Sequence, residues 1–302
     1  VFEITSQTTE DERSVFLCNL LGLSRIKNNE RNKDALTLAI KDFKHGYLKE
    51  KNTTHAIDCL ANFITSNVLL IDLEKNYEFD FSEIFNFYEL SEKFCQNHRP
   101  INLAMAMVYR RLNDAKKLIF HFKKVIESKK FNSNDLCNYG YWQNFDKEWK
   151  QPDFLDYGKF LDENLTTISQ NQLIEISQKS GSKMRIGFLS SDIIEGHSIT
   201  YFLKTILSNY DKNKFEIVLI LNSPKEDQST KNFKNLVDET INISKLNNID
   251  SINRSRGLKL DIMIDLMGYT SRQRLELFKN RMANKQVIWM GYCNTTGLKN
   301  MD

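Results

Sequence analysis

The stretch KMRIGFLSSDIIEGHSITY, Lys183 to Tyr201, decides the fold. Met184 to Leu189 is a short apolar run. Ser190-Ser191-Asp192 breaks it with a polar turn, His197 follows, and from Ile199 apolar residues recur at helical spacing. An apolar run that ends in a polar loop and re-enters a helix is the opening unit of an α/β domain. In open parallel sheets, ligands gather beyond the carboxyl ends of the strands. His197 lies in such a loop and is the only histidine after residue 121. It is therefore the one imidazole this half offers for acid–base chemistry near neutral pH. Lone histidines are more often structural than catalytic, so position alone makes His197 a candidate and nothing more.

Towards the carboxyl end the same pattern repeats. Phe215 to Leu221, FEIVLIL, is a continuous apolar run, as expected of a strand covered on both faces. Asp261 to Leu266 and Gln286 to Met290 read as further strands, and Thr240 to Ile243 as a short one. Ile199 to Tyr210, Thr230 to Val237, Ile249 to Gly257 and Arg272 to Asn280 read as helices between them. Strands alternating with helices imply right-handed crossovers and a parallel sheet. No G-x-G-x-x-G follows the first strand and no G-x-x-x-x-G-K-S/T occurs, so neither a dinucleotide fingerprint nor a P-loop is supported. The strand exits carry polar loops instead: Ser190-Ser191-Asp192 leading to His197, Gly268-Tyr269-Thr270, and Tyr292 to Gly297 within GYCNTTG. Glycines and hydroxyls at strand ends suit close approach of a sugar or phosphate to the backbone. Three such loops on one rim predict a ligand cleft.

Towards the amino end, Thr166 to Ser182 reads as a polar connector with a helical patch over Leu173 to Ile176. Residues 131 to 165 are crowded with aromatics, among them Tyr139, Tyr141, Trp142, Trp149, Phe154 and Tyr157, interleaved with Lys147, Lys150 and Lys159. That mixture resembles a stacking surface for single-stranded nucleic acid. Asp135, Asp146, Glu148, Asp153, Asp156, Asp162 and Glu163 cancel the positive charge such a groove needs. The aromatics are instead expected to pack the helical half against the next domain.

Residues 1 to about 10 are polar and expected to fray. From Asp11 the chain reads as helices only. Val15, Phe16, Leu20, Leu23 and Ile26 share one face, and after a break at Asn28 to Asp34 so do Leu36, Ala39, Ile40, Phe43 and Tyr47. Thr53-Thr54 reads as a cap for a third helix, with Leu69 to Leu73 left unassigned. Further helices are expected over Phe81 to Phe94, Ile101 to Leu112 and Asp114 to Ser128, with Pro100 at a helix start. Leu21-Gly22, then Ala39, Phe43 and Gly46, fit the tetratricopeptide pattern with a lengthened loop. An ordinary helical bundle is the alternative.

The 302 residues suit about two domains. A net charge of +3 is too small to argue for nucleic acid or an anionic membrane. No apolar run approaches the roughly 20 residues of a membrane helix. Five cysteines, widely spaced and without a C-x-x-C pair, argue against zinc and for reduced thiols in the cytoplasm. The chain starts at Val1 and stops at Asp302 directly after a polar loop, so it is expected to be a piece of a longer protein.

KMRIGFLSSD…H, DIMIDLMGYTSRQRLELF and QVIWMGYCNTTG…MD, in that order, resemble the O-linked N-acetylglucosamine transferase/SPINDLY family, glycosyltransferase family 41. The resemblance covers residues 183 to 302. It implies an inverting transferase that passes N-acetylglucosamine, or fucose in SPINDLY-type members, from a nucleotide-sugar to Ser or Thr of proteins. The implied organisation is an α plus α/β chain in three parts. A tetratricopeptide-like region spans 1 to 130 and an aromatic connector 131 to 182. The first Rossmann-like lobe of a glycosyltransferase-B fold spans 183 to 302. His197 matches the motif histidine proposed as the family's base. Asp192, Tyr201, Asp261, Asp265, Gly268, Tyr269, Thr270, Gly291, Tyr292, Thr295, Thr296 and Gly297 are the positions implied to lie near the sugar. The resemblance implies no metal and no resident cofactor. The donor is implied to be held with a second lobe, and the protein acceptor to be chosen by the helices. Cys293 and Asn294 stand where the family has proline and glycine. The alternative is a non-catalytic helical-repeat scaffold with a degenerate transferase lobe. A third reading is an unrelated Rossmann-like enzyme.

Overall fold

The structure, a computed structural model, describes residue 9 and residues 13–27, 32–74, 79–177, 181 and 183–302. The expected frayed segment over residues 1 to 10 lies, apart from Thr9, outside the described residues, as do 28–31 of the expected break. The chain divides into two compact units, Val1–Asp135 and Leu136–Asp302.

The first unit is helical: α1 (Val15–Ile26), α2 (Lys33–Glu50), α3 (Thr54–Leu73), α4 (Ser82–Leu90), α5 (Glu92–Cys95), α6 (Arg99–Arg111) and α7 (Ala115–Glu127). Ser14, Asn32, Thr53 and Asp114 each accept a backbone N–H three residues on and so cap α1, α2, α3 and α7. Each such cap stabilises by about 1 kcal/mol. The residues of the tetratricopeptide pattern are what lets α1, α2 and α3 approach. A Cβ on Gly22 would lie 2.4 Å from the Phe43 ring, and one on Gly46 would meet Cys59 Sγ at 2.8 Å. Leu36, Ala39, Phe43, Tyr47, Leu60 and Ile64 are fully buried between these helices.

Three expectations change. Leu69 to Leu73 completes α3. The expected single helix over Phe81 to Phe94 is two, because Ser91 turns inward, fully buried, and its hydroxyl pairs with Tyr47 Oη at 2.8 Å. α3, at 20 residues, is long and apolar enough to cross a membrane by length and composition. Asp58, Asn62 and Asn67 interrupt it in sequence, and most of its side chains are buried in this unit.

α7 contributes a buried titratable group. His121 is stacked on Tyr109 at 5.3 Å, and its Nδ1 pairs with Asn102 Oδ1 at 2.9 Å. Burial pushes its pKa down to about 4, against about 6.5 in an unfolded chain. The unfolded state therefore takes up a proton first as the pH falls. The stability that neutral His121 contributes is fully present above about 6.5 and is lost on acidification towards 4. Between pH 7 and pH 4 this comes to about 3 kcal/mol. Urea unfolding of wild type and His121→Gln at both pH values is expected to show the wild type losing more, by about that amount. Equal acid losses in the two proteins would contradict it.

The second unit comprises α8 (Ser133–Trp142), which carries the chain across the division, α9 (Gln151–Asn164), β1 (Met184–Ser190), α10 (Ser198–Asn209), β2 (Phe215–Leu221), α11 (Gln228–Lys234), β3 (Glu239–Asn242), α12 (Asn248–Gly257), β4 (Ile262–Asp265), α13 (Leu275–Lys279) and β5 (Lys285–Ile288). The sheet order is β3-β2-β1-β4-β5. Every neighbouring pair is parallel, as the alternating pattern predicts. Along β2, Ile217, Leu219 and Leu221 join Phe188, with Ile199, Leu203 and Leu207 of α10 and Phe233 of α11, in one core. Val218 and Ile220, fully buried, point to the opposite face. Two covered faces explain why β2 is apolar throughout rather than alternating. The chain is thus a tetratricopeptide-like helical region followed by a Rossmann-like parallel-sheet lobe.

Residues 136 to 177, as far as they are described, belong to the sheet's unit rather than to a separate connector. Their aromatics pack there: Tyr157 is edge-on to Tyr139 at 5.4 Å and faces Tyr269 at 6.4 Å. The helical patch expected over Leu173 to Ile176 is absent. Ile174 N–H donates to Asn253 Oδ1 and Ile174 O accepts from Arg256, so α12 takes the bonds a helix would have made. The helix expected over Arg272 to Asn280 begins only at Leu275, since Arg272 sits at φ +63°.

Candidate functional site

Chain order reverses in the sheet between β1, which continues to β2 on one side, and β4 on the other. Ligands of open parallel sheets bind outside the carboxyl ends at such a switch point. Leu266 N–H, just past β4, donates to Leu189 O near the end of β1 at 3.0 Å, tying the two exits together.

The β1 exit is held by the Ser190 hydroxyl. Ser190 and Ser191 are fully buried, and Ser190 Oγ accepts from Asp192 N at 3.0 Å. Ile193, 2% exposed, anchors the loop in the core. His197 then caps α10: its Nδ1 accepts from Ile199 N at 3.4 Å, while its carbonyl accepts from Thr200 Oγ1 at 2.6 Å. A ring whose Nδ1 accepts carries its proton on Nε2 when neutral. The exposed Nε2 is therefore a donor in this arrangement, and no carboxylate among the described residues orients the ring. The Asp192 carboxylate and the hydroxyl of Tyr201, 68% exposed, also have no partner among the described residues. This loop and the first turn of α10 present free groups.

The β4 exit is different. Asp265 is buried at the strand end, and its carboxylate accepts Met267 N at 2.9 Å and Gly268 N at 3.0 Å. Burial raises its pKa to about 6, against the pull of those two N–H donors. Gly268 has φ +54°, and a Cβ there would come within 2.5 Å of Tyr292 Cβ. Tyr269 is 2% exposed and donates through its hydroxyl to Thr296 O at 2.7 Å; Thr270 Oγ1 donates to Met267 O.

The β5 exit packs onto it. The Tyr269 and Tyr292 rings are 5.0 Å apart. Gly291 lies against the Leu266 carbonyl, and Gly297 against Gly158 of α9. Thr295 Oγ1 accepts from Gly297 N, and Thr296 is buried with no partner for its hydroxyl among the described residues. So Gly268, Tyr269, Gly291, Tyr292, Thr296 and Gly297 come together as a packed buttress under the rim. Thr270, Thr295 and Asn294 are half-buried at its surface, and Cys293 is exposed. Asp261 is not brought to this rim. It precedes β4 at the opposite end of the sheet, where its carboxylate accepts Arg185 N at 2.7 Å.

Two contributors carry no local sequence signal. Asn144, between α8 and α9, donates to Tyr292 Oη at 3.0 Å and to Tyr141 O. Its Oδ1 accepts from Asn294 Nδ2 and Cys293 Sγ, so the amide ties the end of α8 to the β5 exit. Arg274 ties the exits of β2 and β3, at Asn222 Oδ1 and Ile243 O, to the start of α12 at Asn248 and Ser251.

Comparison with known proteins adds the following. Residues 162–302 match the family model described as Glycosyl transferase family 41. Over 121 residues the chain is 34% identical to the probable UDP-N-acetylglucosamine--peptide N-acetylglucosaminyltransferase SPINDLY of Arabidopsis thaliana, a match covering 39% of this chain and 13% of that protein. Over 131 residues it is 29% identical to the UDP-N-acetylglucosamine--peptide N-acetylglucosaminyltransferase of Caenorhabditis elegans, covering 42% of this chain and 11% of that one. The match thus spans little more than a tenth of these relatives' length. A mutant of the Thermobaculum terrenum O-GlcNAc transferase has the same fold, with a TM-score of 0.65 at 16% identity over 98% of this chain and 54% of that one.

Proposed function

The chain belongs to glycosyl transferase family 41 through residues 162–302, and from that premise we propose that the whole protein transfers a sugar from a nucleotide-sugar donor to Ser or Thr hydroxyls of proteins. The observation that carries this reading is the division of labour at the switch point. The β1 exit loop and the first turn of α10 offer the free groups of Asp192, His197 and Tyr201, while the β4 and β5 exits form a packed wall beside them. A wall of this kind positions a sugar, and free groups beside it act on an incoming hydroxyl.

The transfer is proposed to be inverting, a single displacement in which the acceptor oxygen bonds to the anomeric carbon as the nucleoside diphosphate leaves and the hydroxyl's proton passes to water, or to His197 where it serves as base. The donor's nucleotide is assigned to a second lobe of the whole protein, and residues 1–302 alone are not expected to catalyse transfer. The sugar is of N-acetylglucosamine type or fucose, the helical unit selects the protein acceptor, and the cytoplasm is the proposed location.

His197 is assigned to the acceptor hydroxyl. With Nδ1 engaged by Ile199 N–H, its Nε2–H donates a hydrogen bond to the reacting oxygens. Service as general base requires that the long Nδ1 contact be released. The two roles separate in kinetics on the full-length enzyme with a protein acceptor at saturating donor. His197→Ala is expected to lower kcat with little change in donor affinity. His197→Gln, which retains a donor, is expected to keep much more of the rate. Equal losses of about 10² to 10⁴-fold in both variants would assign the histidine as base instead. A normal kcat in His197→Ala would remove it from the site.

A further inference from the structure

A concavity lies next to the His197 turn, between α10 and α11. It is an open groove of about 350 Å³ that includes Glu195, Tyr201, Lys204, Gln228, Asn232 and Phe233 in its lining. We propose that this groove is the subsite for the stretch of polypeptide flanking the acceptor hydroxyl, an assignment that rests on the transferase reading above.

Its walls are braced. Asp227, the cap of α11, accepts Glu195 N–H at 2.7 Å, and Thr230 Oγ1 donates to Ile193 O at 2.7 Å. These bonds fix α11 to the loop that presents His197, so the groove keeps its place relative to that residue. Its lining is chemically mixed. Among the described residues the Lys204 ammonium, the Glu195 carboxylate and the Tyr201 hydroxyl have no partner, and the two charges are not paired with each other. Gln228 Nε2 donates to Asn232 Oδ1 at 3.1 Å on one face of α11, and Phe233, 3% exposed, closes the groove's floor from the core.

A nucleotide or another polyanion would meet Glu195, and an acyl chain would strand both charges. An extended polypeptide suits every group: its amides exchange with the Gln228 and Asn232 carboxamides, and an acidic side chain pairs with Lys204. The length fits as well. From Ser198 to Lys204 the helix rises about 9 Å at 1.5 Å per residue, which is about three residues of extended chain. The groove therefore favours an acidic residue about three positions from the Ser or Thr held at His197.

The test uses the full-length protein and fluorescently labelled peptides with one Ser. Asp, Ala or Lys is placed three residues to either side, and both binding and sugar transfer are followed. Wild type is expected to bind the Asp peptide more tightly than the Lys peptide by up to about five-fold, the range of an exposed ion pair. Lys204→Glu, a change at an exposed position, is expected to reverse that order. Asn232→Leu is expected to weaken Asp and Lys peptides alike. An unchanged order in Lys204→Glu overturns the groove. Charge-ordered binding without sugar transfer leaves the groove standing and overturns the transferase reading.

Discussion

Gly291→Ala is expected to prevent the second unit from folding, or to cost it about 4 kcal/mol or more, which places it among the largest single-residue effects. A methyl group on Gly291 would sit 1.6 Å from the Leu266 carbonyl oxygen and 2.4 Å from its carbon. Neither atom is free to yield. Leu266 N–H is bonded to Leu189 O, and Met267 N–H, at the other end of the same peptide group as the Leu266 carbonyl, to Asp265 Oδ1. Relief would require opening the β1–β4 junction at the point where the site is built. Thermal unfolding of the purified variant measures this. A melting temperature within a few degrees of wild type would show that the β5 exit lies further from Leu266.

Arg274→Ala is expected to cost about 2–4 kcal/mol, the range for truncating a charged hydrogen-bond hub and leaving its acceptors unpaired. The guanidinium reaches Asn222 Oδ1 at 3.1 Å, Asn248 Oδ1 at 3.0 Å and Ser251 Oγ at 2.9 Å, with longer contacts to Ile243 O and Leu246 O. Burial holds its pKa below the usual arginine value, so the charge is retained against a desolvation cost that these oxygens offset. Arg274→Lys restores the charge but not the fork, and is expected to recover only part of the loss. Denaturant midpoints for the three proteins test this. A lysine variant as stable as wild type would show that the branching contacts contribute nothing.

What could be read from the sequence was local. FEIVLIL announces a strand covered on both faces, and the Thr53 and Asp114 caps appear where a side-chain oxygen precedes an apolar helical period. The loop after β1 and its histidine were visible because an apolar run stops abruptly at two serines. What escaped was non-local. The connector's aromatics gave no sign of their partners, because Asn144 meets Tyr292, and Gly158 meets Gly297, only after the intervening chain has folded. Asp261 and Asp265 look equivalent in DIMIDL, yet they stand at opposite ends of one short strand and only Asp265 reaches the rim. Leu173 to Ile176 has a helical period, but its backbone is claimed by Asn253 and Arg256. Arg274 lies in a stretch that reads as ordinary helix, and nothing around it marks a residue that joins three elements.

The roles proposed for the rim loops also explain why so few of the family-like positions remain free to touch a ligand. Gly268, Tyr269, Gly291 and Tyr292 are spent on packing the β4 and β5 exits together. Their substitution should therefore appear first as lost stability, whereas substitution of exposed His197 should appear as lost turnover on a folded protein. The central claim is tested most directly by incubating the full-length protein with uridine diphosphate N-acetylglucosamine or guanosine diphosphate fucose and a Ser-containing acceptor protein, and reading the acceptor by mass spectrometry. The account predicts one sugar added at Ser or Thr from one of the two donors, with the rate sharply reduced in His197→Ala. A folded full-length protein that binds the acceptor yet leaves it unmodified with both donors would contradict the account and identify the chain as part of a binding scaffold.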